Sequence, residues 1–152
     1  MKKAITPKIG QMPKVELHVH VEGATKAEVF YSLAEQNNVK LPVNNLVEWK
    51  RFFEFKDFPH FIDVYKTAVT VFKKPGDYAF LIENFYKYQA SQNIIYTEAF
   101  LSASFIVDQF SGSKILDAIE SGIKEGSEKY GGRINFIPDI TRNAPDTQNA
   151  VL

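Results

Sequence analysis

Polar and apolar residues alternate from Lys14 to Val21, the period of a β-strand with one buried face. Side chains two apart on a strand share a face, so His18 and His20 point one way and Val15, Leu17, Val19 and Val21 the other. The apolar side suits packing against helices. Two more strand-like runs cover residues 94–100 and 133–140. Between them the period becomes helical. Ala27, Phe30, Leu33 and Ala34 follow Thr25-Lys26-Ala27-Glu28, a capping-box pattern in which the Thr25 hydroxyl would accept from the Glu28 N–H. Asn37-Asn38 would end this helix. Phe58, Phe61, Ile62 and Tyr65 fall at i, i+3, i+4 and i+7 and make one wide apolar face. Pro75-Gly76-Asp77 reads as a turn into a helix with Asp77 as N-cap, and Leu81, Phe85 and Tyr88 would line the buried face. Residues 114–130 form the next helical pattern, with Ile115, Leu116, Ile119 and Ile123 inward and Gly131-Gly132 suited to the C-terminal cap. Strand, helices, strand, helix, strand predicts βα units and a parallel sheet, an α/β fold.

One connection is too long for a plain βα link. Residues 46–72 carry Trp49, Phe52, Phe53, Phe55, Phe58, Phe61, Tyr65 and Phe72, and Leu41-Pro42 and Asn44-Asn45 before them are turn material. Such insertions often carry function. Core packing accounts for these rings equally well, although 13 Phe and 7 Tyr leave enough to line a pocket for a flat heteroaromatic ring. Eighteen basic and eighteen acidic residues cancel, which argues against nucleic-acid binding. The absence of cysteine excludes disulfides and thiolate metal sites. No apolar run approaches the ~20 residues of a membrane span, and residues 1–12 lack the apolar stretch of a secretory leader. A cytoplasmic setting is the expectation.

The chemistry concentrates at His18-Val19-His20, with Glu22 and Gly23 just beyond. Imidazole is the commonest side-chain metal ligand, and a polar stripe on an apolar strand needs a reason, since buried polar groups cost free energy unless paired. Gly23 would let the backbone turn sharply or approach a ligand closely. Same-face residues on a strand are about 6.6 Å apart along its axis, so both rings must converge to share one ion. Two neutral ligands hold zinc weakly, and a catalytic site normally has at least three protein ligands.

The run Pro13-Lys14-Val15-Glu16-Leu17-His18-Val19-His20-Val21-Glu22-Gly23-Ala24 resembles the opening motif of the adenosine deaminase family of the amidohydrolase superfamily, Pro-Lys-x-Glu-Leu-His-x-His-Leu-Glu/Asp-Gly. Val21 stands for the usual Leu. Phe61-Ile62-Asp63-Val64-Tyr65 is similar to the family's segment that lids the substrate pocket, and Tyr96-Thr97-Glu98-Ala99-Phe100 to its second barrel strand. The resemblance implies a (β/α)8 TIM-type barrel, which typically needs about 250 residues. Residues 1–152 would then be its N-terminal part, about three of eight strand–helix units, with an aromatic-rich lid insertion at about 44–72.

For function, the resemblance implies a zinc-dependent deaminase that releases ammonia from an aminopurine or its nucleoside. His18 and His20 would bind the one zinc ion of the complete enzyme, an incomplete site here. Glu22 would hydrogen-bond a sugar hydroxyl, and Gly23, Phe58, Phe61, Ile62 and Tyr65 would sit at the substrate. The family's remaining zinc ligands and its catalytic glutamate lie on later strands, so this stretch holds no catalytic residue; the third histidine, His60, falls in the lid region. After Tyr96-Thr97-Glu98 the family often has a basic residue followed by Ser-Pro or Asp-Pro. Here Ala99-Phe100-Leu101-Ser102-Ala103-Ser104 follows instead, which opens the substrate to aminopurines other than adenosine. Glu98 shares a side with Tyr96 and Phe100, as a buried, hydrogen-bonded carboxylate would.

The expected partners are a purine nucleoside or related small molecule, and neither nucleic acid nor membrane. Three strands cannot close a barrel. Self-association or pairing with a complementary barrel fragment is therefore expected, with residues 143–152 at that contact. Two alternatives stand beside this reading. One is an inactive truncated chain that acts only through such assembly. The other is a metal-dependent phosphoesterase opening with His-x-His, a class that needs more than three histidines.

Overall fold

Strand β1 (Lys14–His20), strand β2 (Ile94–Ser102) and strand β3 (Arg133–Asp139) form a parallel sheet in the order β1-β2-β3. The computed structural model describes residues 7–102, 110 and 112–139. A short helix α1 (Pro7–Gln11), which the sequence pattern does not signal, precedes β1. Then come α2 (Val21–Ala24), α3 (Ala27–Gln36), α4 (Leu46–Phe52), α5 (Phe58–Val69) and α6 (Gly76–Ser91) before β2, and α7 (Gly112–Tyr130) between β2 and β3. Parallel neighbours joined through helices are the βα units expected. The segment from residue 143 onward lies outside the described residues. Among those described, no helix is long and apolar enough to cross a membrane.

The central strand sets the layers. Thr97, Ala99 and Leu101 are buried, and Ala99 and Leu101 join Tyr78, Leu81, Ile82, Phe85 and Tyr86 of α6 in one apolar core. Helix α7 closes on α6 through two glycines. A Cβ on Gly122 would stand 2.8 Å from the Ala79 carbonyl oxygen, and one on Gly126 would overlap the Tyr86 ring. Small residues here let the helices approach closely. Gly131 and Gly132 end α7 with φ of 73° and 78°, and the Gly131 N–H donates to the Ser127 carbonyl at 2.9 Å.

Part of the aromatic stretch is plain core. Trp49 is fully buried, donates its Nε1–H to the Ala27 carbonyl at 2.9 Å, and stacks on Phe52. Phe72 is buried between Phe30 and Tyr78. Helix α5 divides the rest. Its core residues are Val64, Ala68 and Val69, whereas Phe58 is 72% exposed and Phe61, Ile62 and Tyr65 are half-buried. Of the wide apolar face read from the sequence, Tyr65 alone is among the residues packed against the core.

Several local expectations are corrected. Thr25 does not cap α3: its hydroxyl donates to the Val21 carbonyl at 2.7 Å, Lys26 occupies the N-cap, and Glu28 pairs with Lys50. Asp77 is not the N-cap of α6 either. It sits inside the first turn, 1% exposed, and one carboxylate oxygen accepts from the Lys73 and Lys74 N–H groups and from Asn37. Leu116 is 60% exposed, so α7 buries Ile115, Gly122 and Gly126 instead. Tyr88 is only half-buried, under the Lys26 ammonium. Val21 belongs to α2 rather than to the strand.

The largest correction is within β1. Lys14 pairs with Ile94 but Val15 with Tyr96, and Glu16 pairs with Thr97 but Val19 with Ala99. The strand thus slips by one residue and slips back. Glu16 is carried to the helix side, where it accepts from Gln89 of α6 at 2.7 Å while Thr97 donates to the same Gln89. Val15 and Leu17 do not pack under helices: they are 59% and 58% exposed.

The α6–α7 contact yields a stability prediction. Gly126→Ala should destabilise the chain by about 1–3 kcal/mol in urea denaturation, because overpacking against Tyr86 outweighs the roughly 1 kcal/mol gained in helix propensity. Gly112→Ala, whose Cβ would meet nothing within 4 Å, should be neutral or stabilising.

Candidate functional site

The three strands end side by side, and the ends carry the chemistry: His20 closes β1, Ser102 closes β2 and Asp139 closes β3. In parallel α/β sheets, ligands bind at these carboxyl ends. His18 and His20 share the sheet face turned away from α6. Their ring centroids are 5.7 Å apart, and both rings lie against Phe100, at 4.5 and 5.2 Å. The His20 Nδ1 is 3.2 Å from Oδ2 of Asp139. On the same face Asn135 donates to the Tyr96 hydroxyl at 2.9 Å, and Tyr96 donates to Glu98 at 3.0 Å, so Glu98 is hydrogen-bonded as expected but only half-buried.

Glu22 is not a solvent-exposed loop carboxylate. It lies in α2, 3% exposed, and its Oε1 accepts from the Ser102 N–H at 3.1 Å. Its Oε2 is buried without a hydrogen-bond partner among the described residues. Burial pushes its carboxyl up to about 7, the negative charge of Asp139 pushes the same way, and backbone hydrogen bonds only partly offset this. Ser102 also joins α5 to this corner, since its hydroxyl lies 3.0 Å from the Tyr65 hydroxyl. Burial raises the Tyr65 phenol, and the nearby Glu22 raises it further.

Of the residues singled out from sequence, His18, His20, Glu22 and Tyr65 gather at the strand ends. Phe61 and Phe58 extend from Tyr65 along α5, with centroid separations of 6.2 and then 6.0 Å. Ile62 is half-buried on the same helix. Gly23 takes an ordinary helical turn, and a Cβ there would meet only His20 Cβ at 3.7 Å. The backbone demand for glycine expected at this position is not present. His60 is used locally: its N–H donates to Asp57, the N-cap of α5. Sequence reasoning missed Ser102 and Asp139. An acid closing a third barrel strand was the available signal for Asp139; Ser102 carried none.

The imidazole pair suits a metal. With Zn–N bonds of about 2.0–2.1 Å, two rings whose centroids are 5.7 Å apart can both reach one ion. Among the described residues, no three His, Cys, Asp or Glu side chains already form a metal cluster, so the pair fits as two ligands of a larger set. Hollows of about 680 Å³, along Tyr31 and Leu41, and about 320 Å³, beside Tyr88, lie away from the histidines. Among the described residues His18 and His20 are exposed.

Comparisons with known proteins converge. A family model described as adenosine deaminase matches residues 13–151. The chain is 30% identical over 141 residues to an adenine deaminase of Pseudomonas putida, covering 92% of this chain and 45% of that protein. It is 28% identical to an adenine deaminase of Vibrio parahaemolyticus, covering 93% and 44%. The chain therefore spans just under half the length of these curated relatives. Among solved structures, the adenine deaminase of Arthrobacter aurescens superposes with a TM-score of 0.78 at 21% identity, covering 89% of this chain and 42% of that one. An amidohydrolase of Burkholderia ambifaria solved with bound zinc gives 0.74 at 21% identity, covering 90% and 38%. An Arabidopsis protein, ADAL, complexed with GMP gives 0.67 at 15%, covering 89% and 42%. The fold is that of part of such a barrel.

Glu22 yields a pH prediction for the metal-free chain. Its folded pKa is raised above the unfolded value of 4.5 to about 7. The neutral form is therefore favoured in the fold, and its contribution is full below 4.5 and lost as pH rises through 7. Urea denaturation should show the wild type losing about 1–3 kcal/mol from this group by about pH 8. Glu22→Gln, neutral throughout, should remove that part of the pH dependence.

Proposed function

The chain belongs to the adenosine deaminase family, and we propose that the complete protein is a zinc-dependent hydrolase that removes the amino group of an aminopurine as ammonia. The observation that carries the reading is the pair His18 and His20, both against Phe100 at the carboxyl end of β1, beside a buried carboxylate at Glu22. Zinc, when bound, lowers the pKa of water to near neutrality and so supplies a nucleophile at ordinary pH. His18 and His20 would be two of its ligands. Phe100 backs both rings and limits their rotation. Glu22, at a pKa near 7, can accept a hydrogen bond from a substrate hydroxyl or N–H through the oxygen left unpaired. Phe58, Phe61, Ile62 and Tyr65 would line the approach of the flat ring, and Gly23 would border it. The relatives' names favour adenine itself as the substrate, with adenosine second.

The remaining ligands and the catalytic acid would come from strands beyond residue 152. The test is the complete barrel, assembled from this chain and the strands that follow in the family. It should release ammonia from adenine faster than from adenosine, lose activity on chelation, and regain it with zinc. His18→Ala and His20→Ala should each abolish turnover. The 152-residue chain alone should give none. No ammonia from either purine with zinc-loaded complete protein would overturn the reading.

We also propose that the chain acts in association, with the rest of the barrel or with copies of itself. Support comes from the exposed Val15, Leu17 and Ile95, each more than half accessible, and from two outer strands with open edges. Sedimentation of the purified chain should show self-association. A cooperative folded monomer at micromolar concentration would refute it. The phosphoesterase alternative finds no support in the family match.

A further inference from the structure

Asp139 has no role in the reading above, yet it is the nearest anion to a metal ligand. It closes β3 in register with Ser102. One carboxylate oxygen, Oδ2, lies 3.2 Å from Nδ1 of His20, a hydrogen-bond distance, and the other, Oδ1, is buried without a partner among the described residues. A buried carboxylate oxygen left unpaired is costly. A neutral imidazole offsets that cost weakly. An imidazole polarised by a divalent cation on its far nitrogen offsets it more, because its Nδ1–H becomes a stronger donor.

We propose that Asp139 is a positioning residue: it holds the proton of His20 on Nδ1, and so turns the Nε2 lone pair toward the zinc. The proposal rests on the zinc-hydrolase reading. Outer partners of this kind fix the tautomer and orientation of a ligand histidine and raise its basicity, and their loss typically weakens metal binding about 10–100-fold. The arrangement also ties the end of β3 to the end of β1 across the intervening strand, so the metal site would report on whether the sheet is complete.

The test begins with the 152-residue chain. In metal-free protein at about pH 8.5, two units above the ordinary imidazole pKa, long-range nitrogen–proton NMR reads the tautomer of each of the three histidines. His20 should carry its proton on Nδ1 in the wild type and on Nε2 in Asp139→Ala, while His18 and His60 stay unchanged. Chelator competition on the complete barrel, which holds the remaining ligands, should then show zinc affinity falling at least about tenfold in Asp139→Ala and in the isosteric Asp139→Asn. The second variant decides if the first does not fold by circular dichroism. An Nε2 proton on His20 in the wild type would overturn the proposal, as would unchanged zinc affinity in the folded variants. If the complete wild-type barrel bound no zinc, the zinc reading would fail instead, and the proposal with it.

Discussion

Between Glu16 and Val19, β1 takes three steps where β2 takes two, and between Lys14 and Val15 it takes one where β2 takes two. The two irregularities cancel, so His20 meets Phe100 in the register that an unbroken pairing would give. Between them the strand is out of phase. Glu16 is turned outward to Gln89 of α6, while His18, two residues later, is turned inward against Phe100. A bulge is a known way to re-aim a side chain beside an active site. Here it separates two polar groups with different tasks. The carboxylate anchors the strand to a helix, and the imidazoles are kept for the open face. The interaction holding the slip is the Glu16–Gln89–Thr97 network. Without Glu16 on that side, the Gln89 Nε2 group would lose its acceptor.

A second constraint acts at the carboxyl ends. Glu22 reaches back from α2 to the Ser102 N–H, which joins the exit of β1 to the exit of β2, and Asp139 reaches from β3 to His20. Each tie spends one carboxylate oxygen and leaves the other buried. The negative charge of Asp139 raises the proton affinity of Glu22. That is an unstable arrangement for a surface whose only task is to fold, and a suitable one for a surface that receives a cation or hydrogen-bond donors.

The strands, their parallel order and the histidine face were legible in the sequence because each is a local signal: alternation for strands, 3.6-residue spacing for helices, and a specific twelve-residue motif. What was not legible depended on neighbours far along the chain. Thr25 and Asp77 are good capping residues by type, but the fold gives Thr25 the carbonyl of Val21 and Asp77 the loop at Lys73, so the caps are unmade. The slip in β1 follows from Gln89, more than seventy residues away. Asp139 acquires meaning only when β3 lies beside β2 and brings it within reach of His20. Leu116 and Leu17 read as buried because apolar spacing cannot say whether the covering element is present.

The aromatic insertion shows how such ambiguity resolves physically. Its rings were equally compatible with core and with a pocket wall, and the stretch divides into buried and exposed rings. Trp49 and Phe72 go to the core, where Trp49 finds a carbonyl for its N–H. Phe58 and Phe61 do not, since α5 spends Val64, Ala68 and Val69 on packing and turns its aromatic edge outward. The Tyr65 hydroxyl, in contact with Ser102, then fixes the position of that edge relative to Glu22. Helix α5 is thus registered to the strand ends by a polar contact while its exposed rings remain unburied. A purely structural helix would bury the larger side chains and expose the smaller ones. The reverse choice here makes sense if the rings are kept for a flat apolar ligand and the smaller residues suffice to hold the helix in place.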